Sequence, residues 1–329
     1  MRGRDPSAST PPALLLTAGL GTRLQPLTYL RAKAAVPING EPLVHRVIRW
    51  LAAAGIRDLV LNLHHRPASI TSQLGDGSDL GVRVRYSWEQ PVLGSAGGPR
   101  HALPLLDHSG HGDFLIVNGD TITDLDVGGL IERHRSSGAR VTMALIEHPS
   151  PDKYGGVLVD REGWVTGFTS ARKTSDDPRS YHFIGVQVAS PSVFAGLKDG
   201  VPAESVNTLY PQLIGADPRS VAAYVSNASF LDIGTAQDYL ETSLSLAARE
   251  GPRLAGRGAR VADSAVLART IVWDDVTVGA DARLRDCVVG DGAAVPAGSH
   301  FERCAIVPAA GRTPRAGERI VGKLLMRAF

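Results

Sequence analysis

Short apolar runs alternate with amphipathic stretches along the first half of the chain, from Ala13 to about His148. The apolar runs predict five strands, at Ala13–Thr17, Asp58–Leu63, Val82–Trp88, Phe114–Asn118 and Val141–Ile146. The spacing of apolar positions between them predicts helices at Leu43–Ala54, Ser95–Leu106 and Val127–Ser137. Strands that alternate with helices indicate an α/β fold with a Rossmann-like, mostly parallel sheet.

After Pro149 the pattern changes to shorter apolar pieces. These pieces predict strands at Gly156–Val159, Trp164–Thr166 and Tyr181–Val188, followed by helices at Ser205–Ile214 and Thr235–Arg249. We interpret this part of the chain as an insertion that covers one end of the sheet.

A six-residue period appears beyond Gly251, where Gly, Ala, Asp and Val dominate the composition. The apolar positions stand six apart in two sets separated by one five-residue step: Val266, Val272, Val278, Leu284, then Val289, Val295, Phe301, Val307. One apolar residue per hexad, with small residues between, predicts a β-helix of triangular coils, and a chance alignment is the weaker alternative. We expect Asp274-Asp275 to form a solvated turn of this repeat and the basic residues after Gly311 to form a solvated end.

These changes of pattern divide the chain into four parts. We expect a disordered leader at 1–11, an α/β domain at 12–250, a hexapeptide-repeat domain at 256–310 and a basic tail at 311–329. The leader has no apolar region of the kind that a signal peptide needs, so we expect a cytoplasmic protein. Apolar runs stay well below the roughly 20 residues of a membrane span.

The charges nearly balance, with 35 Lys and Arg against 33 Asp and Glu and a net charge of +2. This balance supplies no broad field for binding nucleic acid or an anionic membrane, so an anionic ligand requires a local site. Cys287 and Cys304 make no disulfide framework and cannot complete a four-ligand zinc site by themselves.

The segment Ala18–Leu24, AGLGTRL, directly follows the first predicted strand. Its two glycines let backbone N–H groups approach phosphate oxygens, and Arg23 adds a charged fork. The segment lacks the Gly-Lys-Ser/Thr of a Walker A motif, and Leu24 stands where a dinucleotide fingerprint has its third glycine. By itself the pattern fits a nucleotide-binding loop or a plain structural turn.

The longer run LLLTAGLGTRLQPLT, from Leu14 to Thr28, resembles the signature of the sugar-1-phosphate nucleotidyltransferases. The resemblance continues in order through Lys33, Val36-Pro37-Ile38, Leu93-Gly94-Ser95-Ala96-Gly97, Val117-Asn118-Gly119-Asp120, Lys153-Tyr154-Gly155, Phe183-Ile184-Gly185 and Phe230-Leu231-Asp232-Ile233-Gly234-Thr235. The hexad repeat is similar to the left-handed β-helix of several branches of this family. The resemblance therefore covers nearly the whole chain.

The resemblance implies that a sugar 1-phosphate attacks the α-phosphorus of a nucleoside triphosphate and that pyrophosphate leaves. It makes Asp120 and Asp232 the ligands of Mg²⁺ and assigns Arg23 and Lys33 to the triphosphate, so that these four residues are the catalytic set. The implied nucleotide contacts are Ala18, Gly19, Gly21, Thr22, Arg23, Gln90, Gly94 and Ser95, with Gln90 or Glu89 reading the base edge. The implied sugar-phosphate contacts are Asn118, Gly155, Lys173 and Gly185.

Two departures from the family pattern affect these assignments. The signature usually has Pro-Lys-Pro where this chain has Ala32-Lys33-Ala34, which keeps the charge but removes its rigid flanks. The family's Glu-Lys-Pro is not intact after Phe168, so Arg172 or Lys173 takes the place of the sugar-phosphate lysine.

Several branches of the family remain open on the sequence. The repeat and Gly94-Ser95-Ala96-Gly97 are most similar to mannose-1-phosphate guanylyltransferases, which implies GTP and mannose 1-phosphate. However, Tyr86-Ser87-Trp88-Glu89 and Ala96-Gly97-Gly98 resemble N-acetylmuramate-1-phosphate uridylyltransferases, which lack the repeat, and glucose-1-phosphate thymidylyltransferases are a third option.

A regulatory subunit that binds NDP-sugars without catalysis is the alternative from another class. The retained Arg23, Lys33, Asp120 and Asp232 argue against it. An acyltransferase built on the repeat has too few coils and no catalytic histidine. We expect the repeat to serve association, as a homo-oligomer contact, or stability rather than chemistry.

Overall fold

The computed structural model describes residues 10–106, 112–150, 152–171 and 180–329. Its contacts divide the chain into two compact units. The sheet unit contains the described residues up to 19 together with 47–67 and 71–230, and the repeat unit contains 20–46, 68–70 and 231–329. The domain boundaries expected from the sequence stay a prediction.

The predicted leader lies mostly outside the described residues. Its last two positions are described: the Thr10 hydroxyl donates a 3.1 Å hydrogen bond to the Gly55 carbonyl, and Pro11 is buried. Within the described ranges, no helix is both long and apolar enough to cross a membrane.

The strands are β1 (Ala13–Leu16), β2 (Pro37–Ile38), β3 (Glu41–Pro42), β4 (Asp58–Leu63), β5 (Arg83–Trp88), β6 (Phe114–Asn118), β7 (Thr121–Thr123), β8 (Val141–Glu147), β9 (Gly156–Val159), β10 (Val165–Thr169), β11 (Ser180–Ala189), β12 (Val221–Ser226), β13 (Phe230–Asp232), β14 (Arg260–Val261), β15 (Val266–Ala268), β16 (Ile271–Val272), β17 (Thr277–Val278), β18 (Arg283–Val289), β19 (Ala294–Val295), β20 (His300–Pro308), β21 (Glu318–Val321) and β22 (Leu324–Ala328). The helices are α1 (Leu43–Ala53), α2 (Ala68–Leu74), α3 (Gly94–Leu106), α4 (Val127–Ser137), α5 (Ser192–Ala195), α6 (Tyr210–Ala216) and α7 (Ala236–Glu250). Ser205–Leu209 forms a π-helical turn directly before α6.

The sheet unit is built on a nine-stranded sheet in the order β10-β9-β11-β6-β1-β4-β5, with β8 beside β11 and β12 beside β8. The central strands β6, β1, β4 and β5 are parallel, and Leu14 stands between Val60 and Ile116 in register. Of these, β1, β4 and β6 are buried apolar runs, as the central strands of a parallel sheet with two covered faces require. The predicted α/β fold with a mostly parallel central sheet is confirmed.

The coils of the repeat unit have a period of 17 residues. Each paired residue stands 17 positions before its partner in the next coil, as in Arg260 with Thr277 and Leu284 with Phe301. Two hexads and one pentad make such a coil, so the five-residue step recurs in every coil. The left-handed sense of the coils stays a prediction.

This register corrects two of the predicted inward positions. Leu267, rather than the 56% exposed Val266, pairs with Leu284. Ile306, rather than Val307, pairs with Val289. The sequence pattern predicted one five-residue step in the whole repeat, whereas the structure has one such step in each coil.

The corners of the coils explain the Gly and Asp content of this region. Positive φ angles recur at positions 17 residues apart, in the pairs Asp275 and Gly292, Asp281 and Gly298, and Asp286 and Arg303. Gly adopts this backbone conformation without strain, and Asp tolerates it better than most residues.

The segment after Gly311 forms a hairpin, so the expectation of a solvated end was wrong. β21 and β22 are antiparallel, and β22 also pairs with β20, where Met326 lies opposite Ile306. Leu324, Leu325 and Met326 are almost fully buried. This short apolar run covers the last coil.

Candidate active site

The turn after β1 is fixed by a buried side chain from β4. Asn62 Oδ1 accepts hydrogen bonds from the backbone N–H groups of Thr17, at 2.6 Å, and Ala18, at 3.2 Å. The Asn62 amide in turn donates to Glu89 Oε1 at 2.7 Å. Ala18 and the exposed Gly19 therefore leave the sheet in a defined direction, and binding of phosphate by this turn stays a prediction.

Glu89 supports this turn and does not read a base. It is 4% exposed, and its second oxygen accepts a 2.8 Å hydrogen bond from the Leu93 N–H. A Cβ atom at Gly98 would lie 2.7 Å from Glu89 Oε1, so glycine is required for this approach. The expectation of a base contact from Glu89 was wrong, and the exposed Gln90 retains that assignment as a prediction.

The start of α3 is bound to residues 203–205. The Ser95 hydroxyl donates to Glu204 Oε2 at 2.7 Å and accepts from the Ser205 N–H at 2.9 Å. Gly94 has φ +76° and lies directly against this segment, where a Cβ atom would meet the Ala203 carbonyl at 2.8 Å. The predicted nucleotide contacts of Gly94 and Ser95 stay predictions, and the hydroxyl already has protein partners.

Asp120 lies close to the turn after β1. The preceding residue, Gly119, donates its N–H to the Leu16 carbonyl at 3.0 Å. A Cβ atom at Gly119 would lie 2.6 Å from Thr17 Cγ2, so glycine allows the two chain segments to touch. The sheet unit thus places Asp120 one residue after this contact with the turn that is predicted to bind phosphate.

Asn118 and Gly185, both predicted to hold the sugar phosphate, are in contact. Gly185 has φ +78°, and a Cβ atom there would lie 2.5 Å from Asn118 Nδ2. Both the backbone angle and the close amide require glycine. The structure therefore brings this predicted pair together on neighbouring strands β6 and β11.

Gly155 lines a cavity of about 430 Å³ with Tyr154, Thr169, His182 and Phe183. The Gly155 carbonyl lies 3.2 Å from His148 Nε2. The cavity belongs to the sheet unit and has polar and aromatic side chains in its walls, and the contact of Gly155 with a sugar stays a prediction. Arg172 and Lys173, the candidate sugar-phosphate cations, lie outside the described residues.

His182 is a buried residue of this cavity that the sequence did not single out. Among the described residues neither of its ring nitrogens has a hydrogen-bond partner, and the ring lies 4.5 Å from Tyr154 and 4.7 Å from Phe230 between centroids. Burial, and secondarily the neighbouring His148, lower the pKa of His182 to about 4. His182 is therefore neutral at physiological pH.

In the repeat unit, residues 20–35, which we name the signature loop, fold through three short 3₁₀ turns. Gly21, with φ +61°, accepts a 3.0 Å hydrogen bond from the Thr28 hydroxyl on its carbonyl. A Cβ atom at Gly21 would meet Thr28 Cγ2 at 2.7 Å and Lys33 Cβ at 3.4 Å. The loop folds back so that Lys33 packs beside its beginning, where Thr22 and Arg23 are exposed.

Arg23 and Asp232, two of the predicted catalytic residues, meet around Gly234. A Cβ atom at Gly234 would lie 2.8 Å from Asp232 Oδ2 and 3.3 Å from Arg23 Nη1. Helix α7 fixes this corner, because the Thr242 hydroxyl donates to the Asp232 carbonyl at 3.2 Å. Thr242 is a supporting residue that the sequence reading missed.

The donor chemistry of the predicted carboxylates fits magnesium. In the part of the chain that the structure describes, no group of three or more His, Cys, Asp or Glu side chains could hold a metal ion. Mg²⁺ is commonly bound by one or two carboxylates together with substrate phosphates and water. Asp120 and Asp232 are both partly exposed, and their role as ligands of Mg²⁺ stays a prediction.

Comparison with known proteins gives consistent matches. Residues 12–249 match the family profile described as "Nucleotidyl transferase". The mannose-1-phosphate guanylyltransferase of Mycobacterium tuberculosis is 31% identical, over 88% of this chain and 83% of that protein. The N-acetylmuramate alpha-1-phosphate uridylyltransferase of Neisseria meningitidis is 34% identical, over 68% of this chain and 93% of that protein. The crystal structure of HddC from Yersinia pseudotuberculosis, complexed with GMP-PN, shares the fold with a TM-score of 0.59 and 21% identity, over 72% of this chain and 100% of that one.

Proposed function

Because the chain belongs to the nucleotidyl transferase family, in its sugar-1-phosphate branch, we propose that it makes GDP-mannose from GTP and mannose 1-phosphate. The observation that carries the choice is the guanylyltransferase relative, whose match covers 88% of the chain. Residues 1–250 make up only about three quarters of the chain, so that match reaches into the repeat.

The reaction joins a phosphate oxygen of the sugar 1-phosphate to the α-phosphorus of the nucleotide. The bond from the α-phosphorus to the bridging oxygen breaks, and pyrophosphate leaves with the electron pair. The attacking oxygen is already anionic, so the protein's task is to bring two polyanions together and to stabilise charge on the leaving group.

The residues divide this task by their chemistry. Arg23 offers a fork of donors for the departing pyrophosphate, and Lys33 a compact charge for the α-phosphate. Mg²⁺ bound through Asp120 and Asp232 supplies further charge neutralisation at the phosphates.

Binding of the two substrates draws on other residues. Ala18 and Gly19 present backbone to the nucleotide, and Gln90 reads the base edge. Asn118 and Gly185 hold the sugar phosphate, with the sugar ring in the cavity beside Gly155.

A second candidate is the transfer of UMP to N-acetylmuramate 1-phosphate. It is favoured by the uridylyltransferase relative, which is the more identical of the two but covers only 68% of this chain. Measuring pyrophosphate release for each of four NTPs with a panel of sugar 1-phosphates separates the candidates. We expect the highest kcat/KM for GTP with mannose 1-phosphate, whereas a preference for UTP with N-acetylmuramate 1-phosphate would replace the first proposal with the second.

The carboxylate assignment is tested in the same assay. Asp120→Asn and Asp232→Asn remove one charge each with little change of volume, and we expect each to lower kcat by at least ~10²-fold with an unchanged circular dichroism spectrum. Asp79→Asn, at an exposed position, is the matched control and should keep full activity. Pyrophosphate release near the wild-type rate in either variant would remove that residue from the metal site.

A further inference from the structure

The signature loop is bound to the repeat through the side chain of Arg31. The Arg31 guanidinium makes two parallel hydrogen bonds of 2.7 Å to the oxygens of Asp291 and a third, of 2.8 Å, to Asp274 Oδ2. Its side chain is only 15% exposed and lies over the ring of Trp273, 5.5 Å from the centroid. The expectation that Asp274 forms a merely solvated turn was wrong.

The carboxylates that receive Arg31 are themselves held in place. Asp274 and Asp291 occupy equivalent positions of successive coils, and Asp291 Oδ1 accepts the Asp274 N–H at 3.2 Å. Asp274 Oδ1 also accepts the Arg257 N–H at 2.9 Å. Two carboxylates fixed by backbone donors form a rigid receptor for a guanidinium.

Two neighbours of Arg31 also contact the repeat. The Tyr29 hydroxyl donates to Glu318 Oε1 at 2.7 Å, and its ring lies under the guanidinium of Arg312 at 5.4 Å. Gly290 lies so close to Leu30 that a Cβ atom there would be 2.6 Å from Leu30 Cδ1. Three consecutive residues of the loop therefore rest on the coils and the C-terminal hairpin.

The position of these contacts in the loop gives them a consequence for catalysis. Residues 29–31 lie between Arg23 and Lys33, and the loop itself contains only isolated 3₁₀ turns, which hold a backbone weakly. An ion pair that is largely removed from water adds little net stability, because desolvation offsets the attraction, but it fixes one geometry.

We propose that Arg31 is a positioning residue, through which the repeat holds Arg23 and Lys33 in the arrangement that the nucleotidyl transfer requires. This proposal rests on the proposed function. Charges that act by their placement lose much of their effect when they move by about 1 Å, at a cost of up to ~10²-fold in rate. The repeat is then part of the catalytic apparatus without touching substrate.

Steady-state kinetics of Arg31→Ala, Arg31→Lys and Asp291→Asn test the proposal. We expect kcat to fall by about tenfold or more in Arg31→Ala, with KM for both substrates within about threefold of the wild type. Arg31→Lys keeps the charge but not the fork and should recover part of kcat. Asp291→Asn should resemble Arg31→Ala, and the double variant should lose no more than either single variant, because both remove the same contact.

Arg269→Ala is the matched control. Arg269 lies in the same repeat and pairs with Asp286 at 2.7 Å and with Glu241 of α7 at 2.6 Å, and neither partner belongs to the signature loop. We expect its kcat within twofold of the wild type. A kcat of Arg31→Ala equal to that of Arg269→Ala, or a fall matched by loss of folded protein, would overturn the proposal.

Hydrogen–deuterium exchange read by mass spectrometry separates this proposal from the proposed function. Arg31→Ala should speed exchange of the amides of residues 20–35 by at least tenfold and leave β18 unchanged, whereas Arg269→Ala should leave both unchanged. This measurement needs no turnover. It therefore tests whether Arg31 holds the signature loop even if the wild type accepts neither substrate pair. Unchanged exchange in residues 20–35 would refute the positioning role.

Discussion

The buried, neutral His182 makes the stability of the sheet unit depend on pH. Its ring is 6% exposed among aromatic neighbours, and burial lowers its pKa to about 4 from the ordinary 6.5. Between these two values the unfolded chain binds a proton at this position and the folded chain does not. The free energy of unfolding therefore falls as the pH drops from about 6.5 to about 4.

The size of this effect follows from the two pKa values. At pH 7.5 both states are neutral at His182 and the contribution is close to zero. At pH 5.0 the unfolded state is almost fully protonated, and the linkage relation gives a loss of about 2 kcal/mol.

Urea unfolding of the wild type and of His182→Phe at pH 7.5 and 5.0 measures the effect. Phenylalanine keeps the aromatic contacts and has no nitrogen to protonate, so the variant should lose about 2 kcal/mol less than the wild type between the two pH values. His300→Gln changes an exposed histidine of the repeat and should lose as much as the wild type. An equal loss in His182→Phe and the wild type would refute the reasoning.

Two glycine substitutions probe the close contacts of the site. Gly185→Ala forces a side chain onto a positive φ and against Asn118, so we expect a loss of at least ~1 kcal/mol in the free energy of unfolding and a raised KM for the sugar 1-phosphate, measured by urea unfolding and steady-state kinetics. Gly234→Ala pushes its Cβ against Asp232 and should lower kcat by about tenfold or more, and a kcat within twofold of the wild type would show that Asp232 has room to move.

Local apolar patterns were sufficient to predict most elements of the sheet unit. β4 and β6 have the predicted bounds, because buried runs such as Asp58–Leu63 end where polar residues begin. The Gly-rich signature likewise located the turn after β1. These features depend on residues close together in the chain, which is what a pattern records.

The supporting residues of the site could not be predicted in the same way. Asn62 and Glu89 are single polar residues in or beside strands, and their roles arise only from the adjacency of β1, β4 and β5. His182 gave no signal because its neighbours Tyr154 and Phe230 come from distant segments. Packing between remote elements decides such roles, and no short motif marks them.

The signature loop shows that segments far apart in the chain can pack together, so the sequence of domains along the chain does not reveal which of them are in contact. The repeat does have its own core, around Val278, Leu284 and Val295, as the hexads predicted. However, Asp274 and Asp291 of the repeat bind Arg31, which precedes them in the chain by 243 and 260 positions. The contact to Arg31 requires a receptor built by two coils at once, which a single hexad does not reveal.

The repeat unit also binds the residues that follow the signature loop, through α7 and the chain directly after it. Asn39 Oδ1 accepts the Arg253 N–H at 2.8 Å, and Arg46 pairs with Glu250 at 2.8 Å. The Tyr239 hydroxyl donates to the Pro37 carbonyl and accepts from the Trp273 indole N–H at 2.8 Å. Arg23 and Lys33, the cations proposed for the triphosphate, belong to the chain segment that leads into these contacts. We therefore expect removal of residues 251–329 to change the surroundings of both cations by taking away Arg253 and Trp273, and the role of the repeat in association or stability stays a prediction.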